Sequence, residues 1–586
     1  MTNVAYLYDA GLHEKANAAG KNYWGIYVAE LFDWLGVSAA SVAPGELQSD
    51  ETLERLDVLV IGRDAAKSLE GAAVDLKRWV ERGGLLIGFM PEGMEELFAV
   101  ERRGFLLQGT DPFSINSTFG WTGALLTRGL QSPLQPPEPL PILSDRVLLC
   151  PAPGTLAASP EGPAVVYRRQ GKGGTLYFAY DLAQTAWAVR QGRPVDKDYD
   201  LDAWMFRTTD GAVTGPRMVK GLVLDEVLFL LERVLARHGV ASLDRLPPHA
   251  GKPSDILLFW GGDDEGLSDG SQLSASAFMK ARGLPYHINV MPVGSRGFGL
   301  SLEDARKILD NGHELSIHFN FVTDWSRPDY SAEDLKAQWQ MFVERYGLRP
   351  QVYVAHCLRW CGWDETPLVL EGLGMTGENM RLGVPTPLGV GNPCDRLGFA
   401  WGTVFPFYYR AGHQEANRRI RFLALPIQCY EVGYDASAGK AESTVLHAQL
   451  DFALHYRLTT NMFFHPCTVM RECVREAVDE TLRYLRARRA NVHHLAHDAL
   501  ARWWMARSAS KVQERREGRK RTIRVATECE EGVTLRIPAP PRGGPVQVKV
   551  DGRRRSASPG KAIAGGFLML PLERGEHEVT VTEARR

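Results

Sequence analysis

The chain has 586 residues, 44% hydrophobic and 24% charged, which is the composition of a globular protein with about three domains. Its 68 Lys and Arg residues nearly balance its 70 Asp and Glu residues. The formal net charge of −2 therefore excludes a general attraction to nucleic acid or anionic membranes. No apolar stretch is long enough to span a bilayer, and the N-terminus lacks the pattern of a signal peptide, so we expect a cytoplasmic protein without a membrane span.

Strand and helix patterns alternate at the start of the chain. Residues 4–9 predict a strand, and residues 22–36 have the apolar spacing of a helix. Residues 56–62 and 85–90 are continuous apolar runs, which are typical of parallel strands buried on both faces. This order predicts a flavodoxin-like, doubly wound α/β domain.

A β-rich insertion follows within the same predicted domain, which covers residues 1–243. Proline-rich residues 132–141 precede a predicted hairpin over 164–182 that turns at Gly-Lys-Gly-Gly. A helix over 219–238 closes the domain, and the composition of 244–255 indicates a linker.

The longest β/α alternation covers residues 255–508. Repeated strand–helix units of this length predict a (β/α) barrel, complete or distorted, with its polar residues where strands end. The predicted strands are 256–262, 286–293, 313–320, 351–357, 422–431 and 461–466.

The C-terminal part contains one basic run and one alternating region. We interpret residues 511–524 as a solvated linker because charge runs are usually solvated. Residues 521–586 alternate apolar and polar side chains between Gly and Pro, which predicts a small β-sandwich module.

The decapeptide LLFWGGDDEG places Asp263 and Asp264 at the end of an apolar strand. Adjacent carboxylates raise one another's pKa, and a metal would relieve the repulsion if one ligates and the other serves as a base. A solvated acidic turn is the alternative. His318 ends a strand two units later, and imidazole with carboxylate is a plausible metal-ligand set, although a lone His is more often structural.

The order of these pieces resembles the NodB-homology polysaccharide deacetylases, also called carbohydrate esterase family 4, over about 250 residues. After the Asp-Asp strand come RGLP (282–285), GHEL..H (312–318), YGLRPQVYVAH (346–356) and FFHP (463–466). The resemblance implies a deacetylase-type barrel that binds a divalent metal, with zinc expected. It also implies a carbohydrate or related small amide as substrate.

Carried over residue by residue, the resemblance implies that Asp263 is the general base and Asp264 a metal ligand. His318 would be a second ligand and His465 the general acid. The implied reaction is hydrolysis of an N-acetyl or O-acetyl group by water that the metal activates.

The chain departs from the family pattern at the third ligand. The family has a second His four residues after the first, but Val322 stands there. Asn320, Asp324 or His356 would then supply the missing ligand, or water would.

The third motif also departs from the pattern. Near the position of the family's Arg the chain has His356, and Arg359 is the alternative charged partner for Asp263. Both His356 and Arg359 are therefore candidate catalytic residues.

The N-terminal part resembles the class I glutamine-amidotransferase-like fold. Catalysis in that family needs a Cys nucleophile at a strand-to-helix elbow. The first Cys here is Cys150, beyond the predicted α/β core, so we expect a binding, regulatory or oligomerisation role rather than glutaminase activity. Homo-oligomers would form through this domain.

Three functional hypotheses follow. The first is a metal-dependent hydrolase that removes an acetyl group from a carbohydrate or related amide. The second is a catalytically degenerate domain that binds a glycan or a protein, which Val322 favours. The third is hydrolysis of a non-sugar C–N bond.

Overall fold

In a computed structural model of the chain, the described residues are 3–70, 75–131, 138–201, 203, 205–214, 221–294, 297–322, 329–383, 398–428, 430–435, 437–540 and 546–583. Within this part of the chain, no helix is long and apolar enough to cross a membrane.

The strands of the N-terminal part are β1 (Val4–Leu7), β2 (Ala40–Val42), β3 (Val58–Ile61), β4 (Leu85–Phe89), β5 (Arg102–Leu106), β6 (Ser117–Trp121), β7 (Leu140–Ile142), β8 (Arg146–Leu149), β9 (Thr155–Ser159), β10 (Gly162–Gln170), β11 (Gly173–Phe178) and β12 (Ser242–Leu243). Its helices are α1 (Ala10–Ala18), α2 (Val28–Leu35), α3 (Asp50–Glu54), α4 (Ala65–Ser68), α5 (Leu76–Arg82), α6 (Leu182–Gln191), α7 (Thr208–Gly211) and α8 (Val223–Arg237).

One nine-stranded sheet organises this part, in the order β2-β1-β3-β4-β11-β10-β9-β6-β7. The first five strands are parallel, and β3 and β4 are buried along their whole length because their side chains are apolar on both faces. The strands from β10 onward pair antiparallel. The α/β class is confirmed, and so is the hairpin, in which Gln170 pairs with Gly173.

The strands of the central part are β13 (Ile256–Asp263), β14 (His287–Val290), β15 (Glu314–Phe319), β16 (Val352–Ala355), β17 (Gly377–Glu378), β18 (Phe407–Arg410), β19 (Arg419–Ala424), β20 (Tyr434–Asp435), β21 (Lys440–Ala441), β22 (Thr459–Phe463) and β23 (Val492–Leu495). Its helices are α9 (Ser271–Lys280), α10 (Leu302–Asp310), α11 (Ala332–Tyr346), α12 (Glu365–Gly372), α13 (Ser443–Tyr456), α14 (Pro466–Val469), α15 (Glu472–Ala487) and α16 (His497–Ala509).

The predicted barrel is an open sheet in the structure. Its strand order is β18-β19-β17-β16-β15-β14-β13-β22, with β23 also paired to β13, and all pairs except β18–β19 are parallel. Within the described residues the ladder does not close, because no strand pairing joins β18 or β19 to β22. After β17 and β19, isolated parallel bridges join Leu382 to Ile427 and Tyr430 to Phe463.

The C-terminal strands are β24 (Lys511–Glu517), β25 (Lys520–Thr527), β26 (Val533–Pro538), β27 (Val546–Val550), β28 (Arg553–Arg555), β29 (Ser558–Pro559), β30 (Phe567–Leu572) and β31 (Gly575–Glu583). They form two antiparallel sheets, β24-β25-β31-β27-β28 and β12-β26-β30-β29.

The basic run 511–524 is a β-hairpin, so its interpretation as a linker is wrong. Val512 pairs with Val525, and these side chains and Ile523 are buried while the intervening charges face outward. In this segment the apolar residues at alternate positions, which are typical of a strand, are thus a better guide to the structure than the high density of charged residues. The predicted domain boundaries at 243, 255, 508 and 521 stay a prediction. One continuous hydrophobic core runs through all three parts, so burial does not mark where one domain ends and the next begins.

Candidate functional site

Polar side chains gather where the parallel strands of the central sheet end. Asp263 is the last residue of β13, His318 lies near the end of β15, and His356 and His465 follow β16 and β22. Carboxyl ends of parallel strands share one edge of a sheet, so the four side chains meet there. The close approach of β22 depends on Gly262, where a Cβ would lie 1.8 Å from the Phe464 carbonyl oxygen.

Two of the gathered side chains, His318 and His356, form a group with Glu265 that has the spacing of a metal site. Nε2 of His318 lies 3.3 Å from Nδ1 of His356, which lies 3.2 Å from Oε2 of Glu265. Tetrahedral zinc with bonds of about 2.0–2.1 Å separates its ligand atoms by about 3.3 Å. Two imidazoles and one carboxylate therefore fit such an ion and would leave a fourth position open.

His318 is held in the tautomer that a metal ligand needs. Its Nδ1 donates to the Val354 carbonyl oxygen at 3.1 Å, which leaves the Nε2 lone pair directed at the group. Burial, with smaller effects from neighbouring histidines, lowers the pKa of His318 to about 3. The imidazole is therefore neutral at physiological pH, as coordination requires.

Glu265 lies between the metal-ligand group and His465. Its Oε1 is 3.1 Å from Nε2 of His465, and its Oε2 contacts His356. Burial alone would raise the pKa of Glu265, but the hydrogen bonds with His356 and His465 hold it well below its usual range. For His356, burial opposes protonation, while Cys357 and Glu265 raise the pKa to about 10, so coordination by His356 would release a proton.

Asp263 is buried beside this group without belonging to it. Its Oδ1 accepts a hydrogen bond from Nδ2 of Asn289 at 3.0 Å, and its Oδ2 lies 3.6 Å from Nδ1 of His318. Burial raises the pKa of Asp263 to about 7, against the lowering effect of His465. A carboxyl group poised near neutrality has the acid–base property that proton transfer at physiological pH needs.

His465 is held by a carboxylate behind it. Nδ1 of His465 donates to Oε1 of Glu431 at 2.9 Å, and Thr468 and Tyr434 also hydrogen-bond to that carboxylate. Burial alone would lower the pKa of His465, but Tyr430 and Glu431 hold it well above its usual range. The imidazole is thus a proton donor with Nε2 facing the cluster.

Asp264 points away from the cluster and supports the loop around it. Its Oδ1 accepts from the backbone N–H groups of Gly266 and Met291, both at 2.8 Å, and its Oδ2 accepts from Gln272 at 3.2 Å. Both oxygens are therefore committed to protein donors.

The other expected site residues also make structural contacts. Asn320 donates to the Pro292 carbonyl and accepts from the backbone N–H of Val322, which orders the turn after β15. Arg359 is buried and donates to the Phe321 carbonyl oxygen at 2.5 Å. Asp324 lies outside the described residues.

Two residues of this cluster were missed by the sequence analysis. Glu265 directly follows the Asp-Asp pair, so the tripeptide Asp-Asp-Glu was the available signal. Glu431 reaches His465 from the segment after β19, and no local sequence pattern links the two.

No protein-family model matches the chain, and neither does any curated protein sequence. Solved structures that are similar to it include a protein from Mycobacterium smegmatis named as a polysaccharide deacetylase, at 14% identity and a TM-score of 0.31, over 45% of this chain and 95% of that one. A mutant of a carbohydrate esterase family 4 pseudoenzyme with restored enzymatic activity matches at 14% identity and a TM-score of 0.25, over 44% of this chain and 72% of that one.

A cold-adapted β-galactosidase from Rahnella sp. R3 matches at 14% identity and a TM-score of 0.24. This match covers 30% of this chain and 28% of the β-galactosidase. At these TM-scores the likenesses carry no argument about function, which is drawn from the cluster itself.

Proposed function

We propose that the protein is a metal-dependent hydrolase that removes an acetyl group from a carbohydrate or a related small amide. The observation that carries the proposal is the metal-ligand spacing of Glu265, His318 and His356 beside Asp263 and His465. We propose zinc as the metal and replace Asp264 by Glu265 in the ligand set, because both oxygens of Asp264 are committed elsewhere.

A divalent cation at this position would acidify a water molecule and polarise the acyl carbonyl. Asp263 is the proposed base, and its Oδ2 takes a proton from the attacking water. His465 is the proposed acid, and its Nε2 gives a proton to the leaving amine or alkoxide as the bond to the acyl carbon breaks. Water adds to the acyl carbon, so the products are acetate and the free amine or alcohol.

Glu431 and Asn289 hold the two proton-transfer groups in position. Glu431 accepts from Nδ1 of His465 and keeps Nε2 directed at the leaving group. Asn289 donates to one oxygen of Asp263 and leaves the other for the proton. His356 favours an active hydrolase over a catalytically degenerate binding domain, because it supplies the imidazole that is absent at Val322.

The test is metal content and acetate release with the purified full chain. We expect about one divalent ion per chain in wild type and release of acetate from N-acetylated oligosaccharides. His318→Gln should lose both, whereas Gln338→Glu, which changes a neighbour of Asn320 outside the cluster, should keep both. A wild-type protein that binds no divalent metal would sink the proposal.

A further inference from the structure

A second concave site lies in the N-terminal part, away from the cluster of Asp263, Glu265, His318, His356 and His465, here called the central cluster. A cavity of about 840 Å³ opens at the carboxyl ends of the parallel strands β1, β3 and β4, where Leu7, Gly62 and Phe89 line it. The order β2-β1-β3-β4 places β1 at the point where the strand order reverses. In open α/β sheets, ligands bind in the crevice outside that point, and the volume is that of a small-molecule site.

The floor of the cavity presents an organised set of charged groups. Nε of Arg63 lies 2.8 Å from Oε1 of Glu92, and its Nη1 lies 2.8 Å from Oδ2 of Asp145. Asp181 lines the same floor, is only 7% exposed, and is fixed by accepting from the backbone N–H groups at the start of α6. These side chains are held in place before any ligand arrives, which reduces the ordering cost of binding.

Aromatic side chains form the walls above this floor. Tyr23 and Trp24 come from the segment between α1 and α2, and Phe113 packs edge-to-face against Trp24, with ring centroids 6.3 Å apart and ring planes at 84°. All three are half-buried, so part of each ring lines open space. Half-buried aromatic faces beside polar groups suit a ligand that is apolar on one face and polar at its edges.

The charges of the lining balance one another. Among the described residues that line the cavity, the cations are Lys15, Lys21, Arg63 and Lys67, and the carboxylates are Asp64, Glu92, Asp145 and Asp181. The lining therefore carries no net charge, while its carboxylates can accept and its guanidinium can donate hydrogen bonds to hydroxyl groups.

We propose that this cavity is a binding site for a neutral saccharide, separate from the central cluster and independent of its chemistry. The half-buried ring of Trp24, which lines the cavity, packs on the C–H face of a sugar ring. Arg63, Asp145 and Asp181 hydrogen-bond to its hydroxyl groups. No Cys is among the described residues that line the cavity, so the site binds without the nucleophile of an amidotransferase.

Gly62 offers a way to fill the cavity. A Cβ at Gly62 would meet no atom within 4 Å, and its backbone is not left-handed, so a leucine fits there and projects into the site. Gly45 has the same free space, is exposed and lies outside the cavity, which makes Gly45→Leu the matched control.

The experiment is calorimetric titration of the full chain with glucose, galactose and cellobiose. These sugars carry no acetyl group, so the proposed deacetylase site cannot hydrolyse them. We expect at least one of them to bind wild type and Gly45→Leu equally, and Gly62→Leu not at all. Arg63→Gln should weaken binding about tenfold or more, as loss of a charge-assisted hydrogen bond does, and it serves as the second variant if Gly62→Leu fails to fold.

Binding must also survive in His318→Gln, which disables the central cluster and does not alter a residue that lines the cavity. The proposal is overturned if none of the three sugars binds wild type, if Gly62→Leu folds and binds as wild type does, or if His318→Gln abolishes binding. Tighter binding of inorganic phosphate or glucosamine than of the neutral sugars would equally overturn it. Failure of acetate release in all proteins would count against the proposed hydrolase and leave these outcomes unaffected.

Discussion

Asn289 donates its Nδ2 hydrogen to Oδ1 of Asp263 at 3.0 Å. Its amide is oriented from behind, because its Oδ1 lies 3.1 Å from Nε2 of His287, whose Nδ1 lies 3.0 Å from Oε2 of Glu314. Both partners of His287 are acceptors, so a protonated imidazole satisfies them. The Glu314 carboxylate, the His287 imidazolium and the Asn289 amide thus form a hydrogen-bonded series that ends at Asp263, the proposed base.

The first prediction concerns Asn289→Leu, which keeps the number and branching of the side-chain heavy atoms and removes the donor. A hydrogen bond to the charged form lowers a carboxyl pKa, so its loss raises the pKa of Asp263. We expect the acid limb of the kcat/KM profile to move to higher pH by about one unit, the size of a charge-assisted hydrogen bond. Asn379→Leu, which removes a buried hydrogen bond to Leu425, should leave the limb in place. An unmoved limb in folded Asn289→Leu would contradict the role of Asn289.

The second prediction separates Glu265 from Asp264. Glu265→Gln removes a charged ligand atom and should lose the divalent ion, with little change in thermal stability. Asp264→Ala leaves the backbone N–H groups of Gly266 and Met291 without their acceptor and should lower the free energy of unfolding by about 1–3 kcal/mol for each. It should still bind metal at saturating concentration. Elemental analysis and denaturant unfolding on both variants decide, and the reverse pattern would restore Asp264 as the ligand.

The sequence predicted the positions of the strands that carry the site, but it did not predict which side chains form the proposed metal-ligand group. Apolar runs located β13, β15, β16 and β22, and chain order alone placed Asp263, His318, His356 and His465 at one edge. Beyond the end of a strand, the direction of a side chain depends on the backbone conformation of the loop. The alternation of apolar and polar residues along the strand does not predict that conformation. The choice between two adjacent acids therefore needed the turn in which Gly266 caps Asp264.

Contacts between residues far apart in the sequence could not be predicted from the sequence pattern either. Glu431 and His465 are 34 residues apart, and Glu30 meets Arg410 across 380 residues. Such pairs come from tertiary packing of separate elements and leave no spacing to detect. The hairpin of residues 511–524 was missed for a different reason, since its charged outer face concealed the inward alternation of Val512, Ile523 and Val525.

The third prediction concerns His465 and Glu431. His465→Ala should lose roughly 10²–10⁴-fold in turnover, the size of a general-acid contribution, and retain its metal. In Glu431→Gln, the carboxylate that raises the pKa of His465 is gone, so the alkaline limb of the pH–rate profile should move to lower pH. If His465 only supports the strand end, His465→Ala will melt earlier while turnover per folded molecule stays unchanged. Turnover and melting temperature measured on the same samples distinguish the two.

The fourth prediction concerns the contact between the N-terminal and central parts. Oε1 of Glu30 on α2 lies 2.8 Å from Nε of Arg410 and 2.9 Å from Nε of Arg419; Glu30 and Arg410 are buried, and the side chain of Arg419 is 33% exposed. Glu30→Gln leaves the buried Arg410 without its counter-charge, while Arg419 keeps Asp33 at 3.9 Å, and the loss should cost about 3–5 kcal/mol of unfolding free energy.

Glu415→Gln is the matched control, because its ion pair with Arg418 is exposed and should contribute at most about 1 kcal/mol. Denaturant unfolding followed by circular dichroism measures both. We also expect one cooperative transition in wild type, since the two parts share a hydrophobic core. Equal stability of Glu30→Gln and Glu415→Gln would contradict the claim that this ion pair joins the two parts.

The last prediction concerns a buried acid that serves no proposed chemistry. Glu226 on α8 is 6% exposed, and its Oε2 accepts from Nε1 of Trp121 at 2.8 Å. Burial raises its pKa to about 8, against the lowering effect of the Trp121 hydrogen bond. A carboxyl group with a raised folded-state pKa contributes stability below its unfolded pKa, near 4.5, and this contribution is lost as the pH rises through 8.

Glu226→Gln keeps an acceptor for Trp121 and cannot ionise. Its stability should match wild type near pH 5 and exceed it above pH 8, by a few kcal/mol at roughly 1.4 kcal/mol per unit of pKa shift. Glu333→Gln, at an 80% exposed side chain, should follow wild type at every pH. Because each curve is taken relative to wild type, the titration of all other groups cancels. Parallel curves for wild type and Glu226→Gln between pH 5 and 9 would show that Glu226 ionises in the folded protein as freely as it does in water.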